Sequence, residues 1–317
     1  ELFSYGNLRD VKTTNITDEF SYSINSHKLL VGVQFEHNIT KNGFQRFGAG
    51  YYQYNTWEDF INDTPQQFAI THSMKSDFSQ AYPEFKFQQF SLYLQDEITV
   101  NDRLRVQAGV RFELPIYPSL NTYNEQVANT YVGNSDPRYP TLLKKYDTTT
   151  LPSTKVMFSP RIGFNYDLLG DRSVVLRGGT GLFTGRLPFV WIVGQASDSG
   201  VLQTTYTAVQ GDGKTMPSFT TDRQEMLNQI YPNGITSSLP NVTFTTVMDE
   251  KLKMPQTWKT SLAVDVKLPW GIKGSLEAIY NKDINPAIVR NVGLKEPVYS
   301  HIPDYFDNRP VYGPTYD

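Results

Sequence analysis

The 317 residues contain no cysteine, so neither a disulfide framework nor a thiolate metal site organises this chain. Long hydrophobic runs are also missing. A membrane helix needs ~18 or more consecutive apolar residues, and the apolar stretch from Leu187 to Val193 is far shorter. A helical membrane protein is therefore excluded. Charge of one sign is not in excess either, with 29 Lys and Arg against 32 Asp and Glu and a net charge of -3. Nothing in that balance calls for a nucleic-acid partner. The opening Glu1-Leu2-Phe3-Ser4-Tyr5 lacks the pattern of a signal peptide and reads as the middle of a domain.

Elements of catalysis are scarce as well. The four histidines, His27, His37, His72 and His301, are scattered among turn and loop contexts rather than spaced as metal ligands. Ser, His and Asp occur without a nucleophile motif such as Gly-x-Ser-x-Gly. Asp304, Asp307 and Asn308 do not have the spacing of an EF-hand loop. The expectation is a protein with no catalytic residues, no metal and no cofactor.

What is present is alternation. From Phe90, the residues Leu92, Leu94, Ile98 and Val100 share one face, while Ser91, Tyr93, Gln95, Glu97 and Thr99 share the other. After Asn101-Asp102-Arg103 the pattern resumes. Leu104, Val106, Ala108, Val110, Phe112 and Leu114 oppose Arg105, Gln107, Gly109, Arg111 and Glu113. Paired residues must point the same way, so a three-residue turn, which sets Val100 against Leu104, keeps both faces pure. A two-residue turn would mix them. Arms of about ten residues exceed the usual five or six of a soluble sheet and approach what crosses a bilayer at a tilt.

The same rhythm recurs three times. Phe20, Tyr22 and Ile24 are followed by Leu29, Val31, Val33 and Phe35, where the switch of parity demands an even-numbered loop, assigned to the four residues 25–28. Phe158 to Leu168 returns as Val174 to Leu182 across Gly170-Asp171-Arg172, and Trp258 to Leu268 returns as Ile272 to Tyr280 across Pro269-Trp270-Gly271. The glycines from Gly178 to Gly185 weaken a strand unless a neighbour approaches its backbone closely. Between hairpins lie long irregular segments, about 38–86, 115–155 and 186–256, and the chain from 282 to 317 is again rich in Pro and Tyr. Within them, Thr56 with Asp59 reads as the start of a short helix, and Thr221 with Gln224 resembles a capping box.

Connections thus alternate short, long, short, long, placing tight turns at one end and large loops at the other. That is the signature of an antiparallel outer-membrane β-barrel with periplasmic turns near 25–28, 101–103, 170–172 and 269–271 and extracellular loops between. The fold class expected is all-β, with about eight strands forming a segment of a larger barrel over residues 1–317. An unclosed sheet would leave backbone unpaired in lipid. The apolar faces meet the bilayer. The opposite faces place Arg105, Arg111, Glu113, Arg161, Asp167, Arg177, Asp265 and Glu277 toward the lumen or a plug. Asp96 shares parity with Leu94 and Ile98, so it must sit near the periplasmic interface, in a bulge, or protonated. Tyr51, Tyr52, Tyr54 and Trp57 form an aromatic loop suited either to stacking on a ligand or to packing against other loops.

At this level of detail a family becomes recognisable. Leu92-Tyr93-Leu94-Gln95-Asp96-Glu97 with Leu104-Arg105-Val106-Gln107-Ala108-Gly109-Val110-Arg111-Phe112-Glu113 resembles a barrel hairpin of TonB-dependent outer-membrane transporters. Phe158-Ser159-Pro160-Arg161-Ile162-Gly163-Phe164-Asn165-Tyr166-Asp167 with Val175-Leu176-Arg177-Gly178-Gly179-Thr180-Gly181-Leu182-Phe183-Thr184-Gly185-Arg186 is similar to the Oar-like branch, related to SusC-type receptors. Thr180 departs from the aromatic often found there. The resemblance implies a 22-stranded barrel in the outer membrane of a Gram-negative bacterium, closed by a plug domain that this sequence does not contain. It implies import of an oligosaccharide, peptide or metal chelate. Its implied partners are the TonB complex, engaged through an N-terminal region also missing here, the lipid bilayer, and a surface lipoprotein or other outer-membrane protein. A contrasting expectation is an outer-membrane interaction protein whose loops dock a partner complex.

Overall fold

A computed structural model describes residues 5–129, 131–132, 144–235, 245–289, 297–299 and 311–312. Eight strands dominate: β1 (Tyr5–Ile24), β2 (His27–Gln45), β3 (Glu84–Thr99), β4 (Leu104–Ile116), β5 (Met157–Asp167), β6 (Val174–Thr184), β7 (Gln256–Lys267) and β8 (Lys273–Asp283). They pair in chain order as one antiparallel sheet. The sheet is an open arc of a barrel, because β1 and β8 form its two edges.

The register follows parity. Ile98 faces Val106, Leu94 faces Val110, and the Val100 amide donates to the Leu104 carbonyl across 2.9 Å. Leu168 and Val174, then Leu268 and Ile272, close their turns in the same way. The first hairpin is tighter than the four-residue loop expected. Ile24 pairs with His27, so the turn is only Asn25-Ser26, with Asn25 in the left-handed region at φ 51°. Both loop lengths satisfy the change of parity, and the shorter one adds a ladder pair.

Among the described residues, no second layer of protein covers the apolar face. Ile162 is 52% exposed and Leu276 74%, values that only a greasy solvent makes sense of. The opposite face is concave and polar.

The strands run further toward the long-loop end than the sequence pattern indicates. β2 continues through Asn38 to Gln45, and β3 starts at Glu84, inside the segment read as irregular. Alternation fails there because the inner face is no longer solvated: Asn38 and Thr40 are fully buried beneath the folded loops. β1 likewise starts well before Asp18, where a run of polar residues pairs with β2 and Thr13 donates to Asn38 at 2.6 Å.

The loops themselves are built. Helix α1 (Trp57–Ile61) has the capping box expected, with Thr56 Oγ1 accepting from the Asp59 amide at 3.1 Å. Helix α2 (Glu125–Asn129) and helix α3 (Phe189–Ser197) were not legible as helices in the sequence. Helix α4 (Arg223–Ile230) is capped by Asp222 rather than Thr221, through bonds to the Gln224 and Glu225 amides. Residues 51–53, 67–73 and 203–209 form a separate three-stranded sheet joining the first and third long loops. Phe68, Ile70, Phe78, Met226, Leu227 and Ile230 make its core.

Candidate functional site

The site is the concave inner wall and the loop cap above it. On the wall, Arg111 donates through Nε to Glu113 at 3.1 Å and through a terminal nitrogen to Gln34 at 2.7 Å, with its guanidinium 5.2 Å from the Tyr93 ring. Tyr93 itself reaches across Gly32 to donate to Glu19. Any side chain at position 32 would collide with that ring, since an added Cβ would lie 2.1 Å from it. Further round, Arg177 donates to Asp265 at 2.8 Å and approaches Glu277 at 3.7 Å, while Ser275 supports Asp265 at 2.6 Å. Arg161 and Lys259 flank the Phe183 ring at 4.5 and 5.7 Å. Of these, Glu19, Tyr93, Arg111, Arg161, Phe183, Lys259 and Glu277 line a groove of ≈ 850 Å³.

Arg105 lies lower on the same face, opposite Thr99 and Asn165. Asp167 also points inward, but its carboxylate accepts from the Gly170 and Arg172 amides at 2.9 Å and so is engaged in holding its turn. Asp96 is on the outer face, three residues from the end of its strand, where His27 Nδ1 lies 2.7 Å from its carboxylate. The ladders run without a break through Asp96, so no bulge carries it, and it lies near the tight-turn end of its strand.

Above the wall the third loop folds inward. Ile192, Val193 and Ala196 of α3 pack with Phe85 of β3, Leu120 and Met248, and Phe87, Met157 and Met254 extend the apolar floor. Arg186 bonds Glu36 on the inner wall at 2.6 Å. Gln195 stitches the second and third loops together, donating to the carbonyls of Thr148 and Thr150 and accepting from the Met248 amide.

This geometry of an open antiparallel wall, lipid-facing outside, polar inside and roofed at one end, has a sequence counterpart. Residues 3–281 match the outer membrane beta barrel domain family. The chain belongs to that family. The barrel accordingly resides in the outer membrane of a Gram-negative bacterium. Among solved structures it is similar to the copper transporter OprC (11% identity, TM-score 0.43, 87% of this chain and 30% of that one). It is also similar to the outer membrane transporter YddB from Escherichia coli (10% identity, TM-score 0.46, 86% and 25%). The chain thus spans about a quarter to a third of the length of these structures. No curated protein matches it in sequence.

The four loop aromatics do different things in the barrel's cap. Tyr52 packs on Phe68 and Phe219, its ring centroid 4.7 and 5.3 Å away, and donates to the Ser218 carbonyl. Tyr54 donates to Asp63 at 3.0 Å. Burial, with Asp63 nearby, pushes both phenols up to about 12. Tyr51 meets Phe47. Only Trp57, stacked on Phe60 at 5.3 Å and 74% exposed, presents a free aromatic face.

Two more cap residues had, like Gln195, no signal in the sequence. His72 is fully buried, with Nδ1 2.9 Å from the Ser73 carbonyl and Nε2 2.9 Å from the Tyr231 hydroxyl. Burial first, and the nearby Arg223 charge, hold its pKa below the ordinary histidine value. Arg223 binds the Gly48 carbonyl, Gln45 and the Thr71 carbonyl, and lies 5.3 Å from the Tyr5 ring. It ties the cap to β1 and β2. Among the described residues no group of three His, Asp or Glu could hold a metal ion. His301, Asp304, Asp307 and Asn308 lie outside the described residues.

Proposed function

We propose that this barrel segment belongs to a non-catalytic outer-membrane transporter that imports a large nutrient, such as an oligosaccharide, peptide or metal chelate. Energy would come from the TonB complex through a plug and N-terminal box outside these residues, as the Oar-like and SusC-like sequence resemblance suggests. The observation that carries this reading is the roofed lumen. Loops that merely bordered an open pore would not need three apolar cores, and a roof over a charged wall suits a ligand held before it is drawn through. In this reading the long loops are extracellular and the turns periplasmic, and the Arg111 and Arg177 clusters face a plug or a hydrated passage.

Trp57 with Phe60 and Ile61 is the exposed edge at which a ligand would first stack. Trp57→Ala should weaken ligand capture about 2- to 10-fold, given ~0.5–1.5 kcal/mol per aromatic contact, without lowering barrel stability. The deciding experiment is uptake of labelled oligosaccharides, peptides and metal chelates by cells with the complete protein, without it, and without TonB. Uptake lost in both deletions supports the proposal. Uptake unaffected by either refutes it.

The same exposed edge also suits a second reading, in which the loops dock a surface lipoprotein or other outer-membrane complex. Stoichiometric copurification with TonB-independent growth would favour that reading.

A further inference from the structure

Several polar groups on the lipid face of the arc have partners. Asp96 has His27, Thr180 Oγ1 lies 2.7 Å from Thr260 Oγ1, and Gln88 approaches His37 at 3.3 Å. Asp18 has nothing. It pairs in register with Val33, which faces Leu92, so it shares the outer face with Ile16 and Phe20. Its side chain is exposed and, among the described residues, has no hydrogen-bond or ion-pair partner.

Depth makes this expensive. Asp18 is six residues from Ile24 at the tight turn. At ~3.3 Å per residue and a tilt of ~45° that places it about 14 Å above the turn, near the middle of an apolar band ~25 Å tall. Asp96, only three residues from its strand end, is at the rim and still has a partner. An aspartate side chain is too short to reach headgroups as a lysine does.

Asp18 also lies on β1, whose far edge is unpaired. Hydrocarbon does not tolerate a bare row of backbone N–H and C=O groups, so a strand must lie there in the assembled barrel. We propose that this strand, a further strand of the same barrel, carries a Lys or Arg whose side chain meets Asp18 on the lipid face. The strand satisfies the backbone of β1, and its cation satisfies the carboxylate. The inference depends on membrane placement and not on what the protein transports.

The test uses the complete protein, in detergent for melting and in outer-membrane vesicles for labelling. Asp18→Leu should lower the midpoint of thermal unfolding in detergent by several degrees, because it strands the partner cation in the bilayer. A carboxyl that merely faced lipid gives the opposite sign, so an unchanged or raised midpoint overturns the proposal. The wild-type protein supplies an independent reading should Asp18→Leu fail to assemble. Dicyclohexylcarbodiimide, which enters the bilayer and couples to protonated carboxyls, should leave the peptide containing Asp18 unmodified at pH 7. Modification at Asp18 would show a neutral, lipid-exposed acid and overturn the proposal.

Discussion

Two titratable side chains of the cap, His72 buried and Asp198 partly buried, respond to pH in opposite directions. His72 donates from Nδ1 to the Ser73 carbonyl, and its Nε2 lies 2.9 Å from the Tyr231 hydroxyl. Its pKa is depressed below 6.5, mainly by burial. Stability from this group is therefore complete above the unfolded value and is lost as pH falls through the folded one. Asp198, at the end of α3, is raised from 3.8 to about 6 by burial, with Arg46 opposing. Its contribution is present below about pH 4 and is lost as pH rises through about 6. Hydrogen exchange should then show residues 67–73 opening below pH 6.5, while α3 is best protected in acid. Equal responses of the two peptides would contradict both assignments. On the lipid face, His27→Ala leaves the Asp96 carboxylate without its partner and should cost ~1–3 kcal/mol. Replacing both residues by Leu should restore most of the loss in a detergent melting experiment.

At the scale of elements, the strands crossing the bilayer were readable because lipid on one side and a polar lumen on the other impose strict alternation. Leu94 against Val110 and Leu176 against Val264 are consequences of that rule. The upper halves of β1, β2 and β3 obey no such rule. Where the cap covers Asn38, Thr40, Phe85 and Phe87 alike, apolar and polar side chains are buried together and the period disappears. α3 was hidden for a related reason. Its nine residues carry apolar side chains on most faces, because loops and wall surround it, so no amphipathic stripe marks a helix. β6 shows why some of its glycines are needed. A Cβ at Gly181 would lie 2.9 Å from the Pro160 carbonyl, so Gly181→Val should cost about 1–3 kcal/mol in barrel stability. Gly194, in α3, has nothing within 4 Å of where its Cβ would be. Gly194→Ala should instead stabilise that helix by about 0.5–1 kcal/mol, read as slower exchange of its amides.

At the scale of the whole molecule, the chain is two structures joined along one seam. The bilayer-spanning part of the barrel wall is specified by a local two-residue period that each of its strands displays on its own. The cap is specified by contacts between segments more than a hundred residues apart, such as Thr71 with Thr205 or Tyr52 with Phe219, and no local pattern encodes them. Parity therefore put the wall charges on one shared face, whereas no local pattern marked His72, Gln195 or Arg223. Arg223 sits on the seam, its guanidinium reaching the Gly48 and Thr71 carbonyls and Gln45 from a half-buried position. A lysine cannot reproduce that fork, having one point of charge for three divergent acceptors. Arg223→Ala strands buried acceptors at ~1–3 kcal/mol for each left unsatisfied, and Arg223→Lys should recover little of it. Because the acceptors lie between cap and strands, the loss should appear as opening of the cap and leave the wall intact. Intact cells exposed to protease should then show cleavage in the long loops of either variant, while the detergent melting midpoint of the barrel stays within a few degrees of wild type. A parallel fall in both measurements would mean that cap and wall unfold as one unit and that the seam does not exist.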